Sequence, residues 1–263
     1  MNWLEALPRN RRRGSFPRCL LLMDGDRPAV AERLTGLVGL DGVHVSDQDY
    51  WMPQGLPLQA TDGGWDASPT AEARLGEVLE FLTAEQRETV TSWWLVHRRR
   101  ANTPNWDIAC TATIEGRPGL ILVEAKAHSG ELKVHGKKPG NKDNDEKIGA
   151  AIQQANAVLN TVLPGWSLSR DSHYQLANRL AWSWKVASLG VPVILIYLGF
   201  LRAEEMGDQG TPFADANAWE GVVREYGRGI VPEAAWNKRL STRDLSLWVV
   251  IRSTTEAMSF DKR

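Results

Sequence analysis

DIACTATIEGRPGLILVEAK, residues 107–126, is the stretch of sequence that decides the fold. It lies within an extended run at about 105–113 and a second run at about 120–127 that is rich in Leu, Ile and Val. The residues between them, EGRPG at 115–119, have the composition of a turn. Two such runs joined by a short Gly-containing turn predict an antiparallel β-hairpin.

Helical patterns lie on both sides of this hairpin. Helix-start residues at 66–70, followed by apolar residues at helical spacing, predict an amphipathic helix over about 71–82. Thr83 and Gln86 have the spacing of a capping box, which predicts a further helix to about 97. Apolar periodicity and helix-ending residues also predict helices at about 145–163, 172–189, 213–227 and 232–239.

Two further strands are predicted in the C-terminal half. Residues 192–201 form a continuous apolar run, typical of a strand that is buried on both faces of a central sheet, and 245–251 predict the last strand. The order of helix, hairpin, helices and strand predicts an α/β fold with a mixed central β-sheet flanked by helices. We expect this domain to cover 67–263, and 1–66 to form an N-terminal extension or small subdomain with a short strand at 19–23 and a helix at 28–38.

The composition is that of an ordinary folded protein. Of the 263 residues, 43% are apolar and 24% are charged, which excludes disordered and fibrous classes. The longest apolar stretch, 191–201, is too short to span a bilayer, and the N-terminus lacks the pattern of a signal peptide, so we expect no membrane partner and a cytoplasmic location. Only Cys19 and Cys110 are present, and we interpret both as reduced core thiols.

Three charged residues of the hairpin are candidates for a catalytic site. Alternation along a strand directs Glu124 and Lys126 to one side of the sheet and Ala125 to the other. Asp107 lies in the partner strand, and the short turn can bring its carboxylate close to that of Glu124. Two carboxylates suit Mg²⁺, which prefers oxygen ligands and keeps several waters. A lysine beside them can orient a water and offset charge in a transition state, so the site suits phosphodiester hydrolysis.

This constellation resembles the PD-(D/E)xK nuclease superfamily, which includes many restriction endonucleases, resolvases and exonucleases. The motif reads TPNWD at 103–107 and EAK at 124–126, and it departs from the nominal signature because Pro104 and Asp107 are not contiguous. The resemblance covers about 70–201 and implies a restriction-endonuclease-like core. It further implies a metal-dependent endonuclease or other nuclease that hydrolyses DNA, with a role in restriction, defence or repair.

The resemblance also implies roles for individual residues. Asp107 and Glu124 would bind Mg²⁺, or alternatively Mn²⁺, together with the carbonyl of Ala125, and Lys126 would position the nucleophilic water. Members of the superfamily often add a Glu from the first helix, for which we choose Glu72 because it lies nearest the apolar stripe of the helix predicted over 71–82.

Some members also place a Gln on a following helix, which makes Gln154 and Gln175 candidates for supporting residues. Arg179 is left with two interpretations, a contact to phosphate and a structural ion pair.

Basic clusters predict where DNA would bind, although the formal net charge is only −1. The candidate nucleic-acid-binding residues are Arg98, Arg99, Arg100, Lys137, Lys138 and Lys142. For any one cluster a solvated loop is an equal alternative. A homodimer is a further partner that the sequence leaves open.

Three alternatives compete with this interpretation. Glu124 and Lys126 could form an edge salt bridge worth about 0.2–1 kcal/mol, although this leaves Asp107 unexplained. The chain could be a non-catalytic relative, which keeps the fold as a nucleic-acid-binding or assembly module. It could also hydrolyse a small phosphoester, for which we would expect a closed pocket. The twelve tryptophans predict core packing more than base stacking.

Overall fold

The predicted hairpin forms the middle of a mixed sheet in the computed structural model, which describes residues 2–61, 63–99, 101–242 and 245–258. Within these ranges the strands are β1 (Val43–His44), β2 (Trp51–Met52), β3 (Leu58–Gln59), β4 (Trp65–Asp66), β5 (Ile108–Ile114), β6 (Arg117–Lys126), β7 (Val193–Phe200), β8 (Lys238–Ser241) and β9 (Ser246–Thr254). The helices are α1 (Ser15–Leu22), α2 (Arg27–Val38), α3 (Ala84–Trp94), α4 (Lys142–Val162), α5 (Tyr174–Ala187) and α6 (Ala216–Tyr226). The fold is therefore mixed α/β.

The main sheet has the strand order β1-β5-β6-β7-β9-β8, and β2 also pairs with β5. Strands β5 and β6 are antiparallel, as predicted, and their turn is tighter than expected because Glu115 and Gly116 both adopt positive φ (49° and 75°). Strands β6, β7 and β9 run parallel. A parallel neighbour requires a crossover connection, which α4 and α5 provide between β6 and β7.

Helices cover both faces of this sheet. Leu120 and Leu122 of β6 belong to an apolar cluster with residues of α3, α4, α5 and α6, whereas Ile121 and Val123 belong to a second cluster with residues of α1 and α2. Strand β7 is buried along its whole length because it lies between these two layers. Both cysteines are free and buried in the second cluster.

Most predicted elements are confirmed, with ends that differ by a few residues. These are the helix at 28–38, the capped helix that begins after Thr83, the helices near 145–163, 172–189 and 213–227, and the strands near 192–201 and 245–251. Thr83 and Gln86 form both hydrogen bonds of the capping box, at 3.2 and 3.0 Å. Among the described residues no helix is long and apolar enough to cross a bilayer.

Three predicted elements are wrong. A helix was expected over 71–82, but after a 3-10 turn (Ser68–Thr70) the chain there consists of turns and irregular structure. There Ala73 exchanges backbone hydrogen bonds with Trp106, at 2.9 and 3.3 Å, and this long-range pairing replaces the helix. The apolar run at 19–23 lies in α1 and the residue after it instead of a strand, because a short apolar run does not distinguish the two structures. The helix expected over 232–239 is a 3-10 turn (Glu233–Ala235) followed by β8, which pairs with β9.

Candidate active site

The register of the hairpin brings the two predicted carboxylates together. Ile108 pairs with Val123, and continuing this antiparallel register by one residue sets Asp107 opposite Glu124. Residues opposite each other in an antiparallel pair share a face, so both side chains lie on the side of the sheet that α4 and α5 cover. Lys126 lies on the same face, and its Nζ donates a hydrogen bond to Oε1 of Glu124. The three predicted catalytic residues are therefore neighbours.

Glu124 is the most enclosed member of this group, with 1% of its surface exposed. Besides Lys126, it accepts hydrogen bonds from Nε2 of Gln175 at 2.6 Å and from Nε of Arg179 at 2.5 Å. Burial by itself would raise the pKa of Glu124, but the charges of Arg179 and Lys126 outweigh burial and hold the pKa below its usual value. Glu124 is thus a buried anion with cations on both oxygens.

Asp107 differs from Glu124 because it has fewer partners. Its Oδ2 accepts a hydrogen bond from the backbone N–H of Ala125 at 2.7 Å. Burial and the negative charge of Glu124 raise the pKa of Asp107 to about 7, although Lys126 and the Ala125 N–H act in the opposite direction. Negative charge at Asp107 is therefore incompletely compensated, and a cation beside it would favour the ionised carboxylate.

Lys126 remains a cation despite its burial. Only 6% of its surface is exposed, and burial acts to lower its pKa. The negative charges of Glu124, Asp107 and Glu131 reverse that effect, so the pKa of Lys126 lies above its ordinary value. A protonated ammonium can orient a water molecule and stabilise negative charge, but it cannot accept a proton.

Glu131 is a site residue that the sequence analysis missed. It lies in a 3-10 turn (Ser129–Glu131) just beyond β6. Its Oε2 accepts a hydrogen bond from the backbone N–H of Ala127 at 2.5 Å, and its Oε1 accepts one from the Ser15 hydroxyl at 3.0 Å. Glu131 therefore ties the end of β6 to the start of α1. Its position in a polar, Lys-rich loop gave no sequence signal for this role.

Gln175 and Arg179 reach Glu124 from one face of α5. Their spacing of i and i+4 on a helix aligns the two side chains. Arg179 forms the ion pair that was one of its two predicted interpretations. Gln154, the other candidate glutamine, lies on α4 and accepts a hydrogen bond from Nε1 of Trp93 at 2.7 Å. The structure therefore brings Gln175, and not Gln154, to the predicted catalytic residues.

Glu72 lies outside any helix, which removes the reason for which it was chosen. It accepts a hydrogen bond from Nδ2 of Asn105 at 2.9 Å and forms an ion pair with Arg11 at 3.2 Å. Asn105 is two residues before Asp107, so Glu72 lies beside the site and is held there by other partners. A role of Glu72 or of the Ala125 carbonyl as a metal ligand stays a prediction.

The basic residues proposed to bind DNA fall into two groups. Arg98 and Lys137 are engaged in ion pairs with Glu88 and Asp145 respectively. The exposed group comprises Arg99, Lys138 and Lys142, of which Lys142 has only a long contact of 3.8 Å to Glu146. Arg100 lies outside the described residues.

The part of the chain that the structure describes contains no group of three or more His, Cys, Asp or Glu side chains arranged to hold a metal ion. Two carboxylates with additional backbone and water ligands suffice for Mg²⁺. The finding therefore concerns only metal sites in which three or more such side chains supply the ligands. No protein-family model, curated protein or solved structure matches the chain. The functional conclusion therefore rests on the geometry of the site.

Proposed function

We propose that this protein is a magnesium-dependent nuclease that hydrolyses DNA, with Asp107, Glu124 and Lys126 as its catalytic residues. The observation that carries the proposal is that Asp107, one residue beyond the Ile108–Val123 pair, bonds the backbone of Ala125 while Glu124 bonds Lys126, so the three side chains lie together. Charged side chains are rarely buried without a functional or pairing reason. A structural ion pair would account for Glu124 and Lys126 but not for Asp107, which among the described residues accepts a hydrogen bond from the Ala125 N–H and forms no ion pair.

The fold around the site supports the same proposal. The antiparallel pair β5–β6, the crossover through α4 and α5, and the parallel strand β7 form the arrangement expected of a restriction-endonuclease-like core. The three residues supply the two acidic side chains and the lysine that the PD-(D/E)xK resemblance implies. We infer that the core belongs to this fold type.

The residues also fit the metal that this function needs. Burial and the charge of Glu124 raise the pKa of Asp107 to about 7, and a metal ion beside this carboxylate would act in the opposite direction. Asp107 and Glu124 would hold Mg²⁺ or Mn²⁺, with the Ala125 carbonyl and waters as further ligands. The bound ion would supply Lewis-acid stabilisation of the phosphoryl oxygens and lower the pKa of a water.

Lys126 then has a separate function in hydrolysis. The water oxygen forms a bond to phosphorus, the bond from phosphorus to the leaving oxygen breaks, and a proton reaches that oxygen. Charge grows on the phosphoryl oxygens during this step, and the ammonium of Lys126 stabilises it. Its hydrogen bond to Glu124 holds the ammonium in place before substrate binds.

One observation favours the non-catalytic binding module as a second candidate. Lys126, Gln175 and Arg179 already occupy both oxygens of Glu124, which is a complete set of partners for a buried structural carboxylate. On this alternative the protein would bind DNA without cutting it. Metal binding by Glu124 must therefore compete with at least one of these contacts.

The deciding experiment is a cleavage assay on supercoiled, linear and single-stranded DNA with Mg²⁺, with Mn²⁺ and with EDTA. We expect cleavage that depends on the metal and is lost in Asp107→Asn and in Glu124→Gln. Glu225→Gln is the matched control, because Glu225 is an exposed acid paired with Arg228 and neither residue is proposed to bind metal or DNA. DNA binding without cleavage under every metal condition would establish the non-catalytic module instead.

A further inference from the structure

Arg179 is held at the site in an unusual way. The residue is buried, its Nε donates to Glu124, and its Nη1 donates to Oδ1 of Asn178 at 2.8 Å. Its guanidinium also lies over the ring of Trp106, 4.9 Å from the centroid. Trp106 precedes Asp107 directly, so these contacts fix the guanidinium beside Glu124 and next to the residue before Asp107.

One end of this guanidinium has no partner. Among the described residues nothing accepts a hydrogen bond from Nη2 of Arg179, whereas Nε and Nη1 are both used. Nη2 is not one of the fully enclosed side-chain atoms that lack a partner in the described part of the chain, so it faces open space at the site. An arginine offers five N–H donors in a planar fork. An oxygen ligand at the site would complete this set.

A buried hydroxyl lies on the strand next to Glu124. Tyr197 of β7 pairs in register with Glu124, is 2% exposed, and has a hydroxyl without a hydrogen-bond partner among the described residues. The charges of Glu124 and Arg179 both act on this hydroxyl. The open Nη2 of Arg179 and the Tyr197 hydroxyl thus belong to two residues that both neighbour Glu124, one through a hydrogen bond and one through strand register.

The net charge of the site indicates which kind of ligand could bind to these donors. The two carboxylates are balanced by Lys126 and Arg179, so the four side chains are neutral together when ionised. A divalent cation on the carboxylates would leave the site doubly positive. A phosphodiester carries one negative charge and two non-bridging oxygens, and a guanidinium fork matches phosphate oxygens well.

We propose that Nη2 of Arg179 binds a non-bridging oxygen of the scissile phosphate, which makes Arg179 a fourth catalytic residue. This inference rests on the proposed nuclease function. The guanidinium is positioned in advance by Glu124 and Trp106, so binding the phosphate requires no rearrangement of its long side chain. An arginine that served only to neutralise Glu124 would need no open donor.

The test uses a DNA substrate in which the scissile phosphate is replaced by a methylphosphonate, which lacks one charged oxygen. We expect Arg179→Met to slow cleavage of normal DNA by about 10²–10³, a typical loss for one preorganised group. On the methylphosphonate substrate, we expect Arg179→Met to be only slightly slower than wild type, because that substrate already lacks the oxygen that Arg179 contacts. Gln175→Leu is the matched control, since it also removes a partner of Glu124. It should slow cleavage of both substrates by the same factor, so that its rate loss and that of the methylphosphonate multiply.

The opposite pattern would overturn the inference. If the penalties of Arg179→Met and of the methylphosphonate multiply as they do for Gln175→Leu, Arg179 acts only through Glu124. Thermal unfolding checks that each variant is folded. Should Arg179→Met fail to fold, Arg179→Lys keeps a positive charge for Glu124 but lacks the fork, and it should show the same lost sensitivity.

Binding of inorganic phosphate separates this inference from the proposed function. With Mg²⁺ present, calorimetry should show that wild type and Gln175→Leu bind phosphate and that Arg179→Lys binds it at least about tenfold more weakly, the loss expected for one charge-assisted contact. A wild type that cuts no DNA but shows this difference would reject the nuclease and keep the phosphate site. Equal binding by all three proteins would reject the role of Arg179.

Discussion

Asp107 accepts a hydrogen bond from the backbone N–H of Ala125, the residue between Glu124 and Lys126. This contact locks the start of β5 to the end of β6 and keeps the carboxylate of Asp107 near that of Glu124. Their mutual repulsion is not fully neutralised, because the cations at the site hydrogen-bond to Glu124 and not to Asp107. Proton and metal binding at Asp107 should therefore be linked.

The first prediction concerns pH. Since the pKa of Asp107 is raised to about 7 in the folded protein, the protonated form favours folding. That stabilisation is fully present below the pKa of an unfolded Asp, about 4, and is lost as the pH rises through about 7. Without metal, wild type should thus lose thermal stability between pH 5 and pH 8 relative to Asp107→Asn, which cannot ionise.

Magnesium supplies the control for this prediction. The ion favours ionised Asp107, so it should remove much of the loss at pH 8, and its binding near pH 6.5 should release a proton. Calorimetry in buffers of different ionisation enthalpy measures that proton. A wild type whose stability follows pH as Asp107→Asn does, with no proton released, would show that Asp107 has an ordinary pKa.

The second prediction concerns Lys126→Met, which keeps the apolar stem and removes the charge. Glu124 retains Gln175 and Arg179 as partners, so the variant should fold and should still bind Mg²⁺ and DNA. Cleavage should fall by about 10²–10³, or about 2.7–4 kcal/mol in the activation free energy. Single-turnover rates at saturating DNA measure this loss.

Glu124→Gln is the comparison for this variant. It should weaken Mg²⁺ binding as well as cleavage, because a metal ligand is lost. If a folded Lys126→Met protein cleaves at the wild-type rate, the ammonium has no role in the reaction.

The third prediction separates basic residues that contact DNA from those that support the fold. Lys138 and Lys142 are exposed, so each alanine variant should reduce the slope of log affinity against log salt by about 0.9 if it contacts one phosphate. Lys137 is paired with Asp145 at 2.5 Å, so Lys137→Ala should mainly affect the loop before α4.

Lys238 on the edge strand β8 is an exposed control in another part of the sheet. Binding titrations at several salt concentrations should show no change of slope for Lys238→Ala. Slopes equal to that of wild type for all four variants would assign Lys138 and Lys142 to solubility.

The sequence predicted the parts of the site that depend on strand periodicity. Alternation alone set Glu124 and Lys126 on one face, and the short turn set Asp107 opposite them. It could not distinguish Gln154 from Gln175, because only the packing of α4 and α5 against the sheet decides which helix face meets Glu124. Glu131 was missed for a similar reason, since a loop carries no periodic pattern.

The absence of the helix predicted over 71–82 shows that tertiary contacts can override a local sequence pattern. Of the apolar residues that predicted this helix, Leu75 and Leu82 are buried, yet Ala71 is exposed and Leu79 is 66% exposed. Pairing of Ala73 with Trp106 extends the chain there, and Gly76 packs so closely that an added Cβ would lie 2.8 Å from Oγ1 of Thr91. The apolar spacing therefore predicted the burial of only part of this segment, and it predicted the wrong conformation.

The last prediction tests the packing that holds β7 behind the site. Gly199 lies next to the buried ring of Trp219, and a Cβ added there would lie only 2.5 Å from ring carbons. Gly199→Ala should therefore cost about 1–3 kcal/mol of unfolding free energy through overpacking, because a buried indole has little room to move.

Gly221 offers a matched control, since it is exposed within α6 and nothing lies within 4 Å of an added Cβ. Gly221→Ala should instead stabilise the protein by about 0.5–1 kcal/mol, the usual gain of alanine over glycine inside a helix. Urea unfolding of both variants measures these opposite signs, and a neutral Gly199→Ala would mean that Trp219 does not pack on β7 as described.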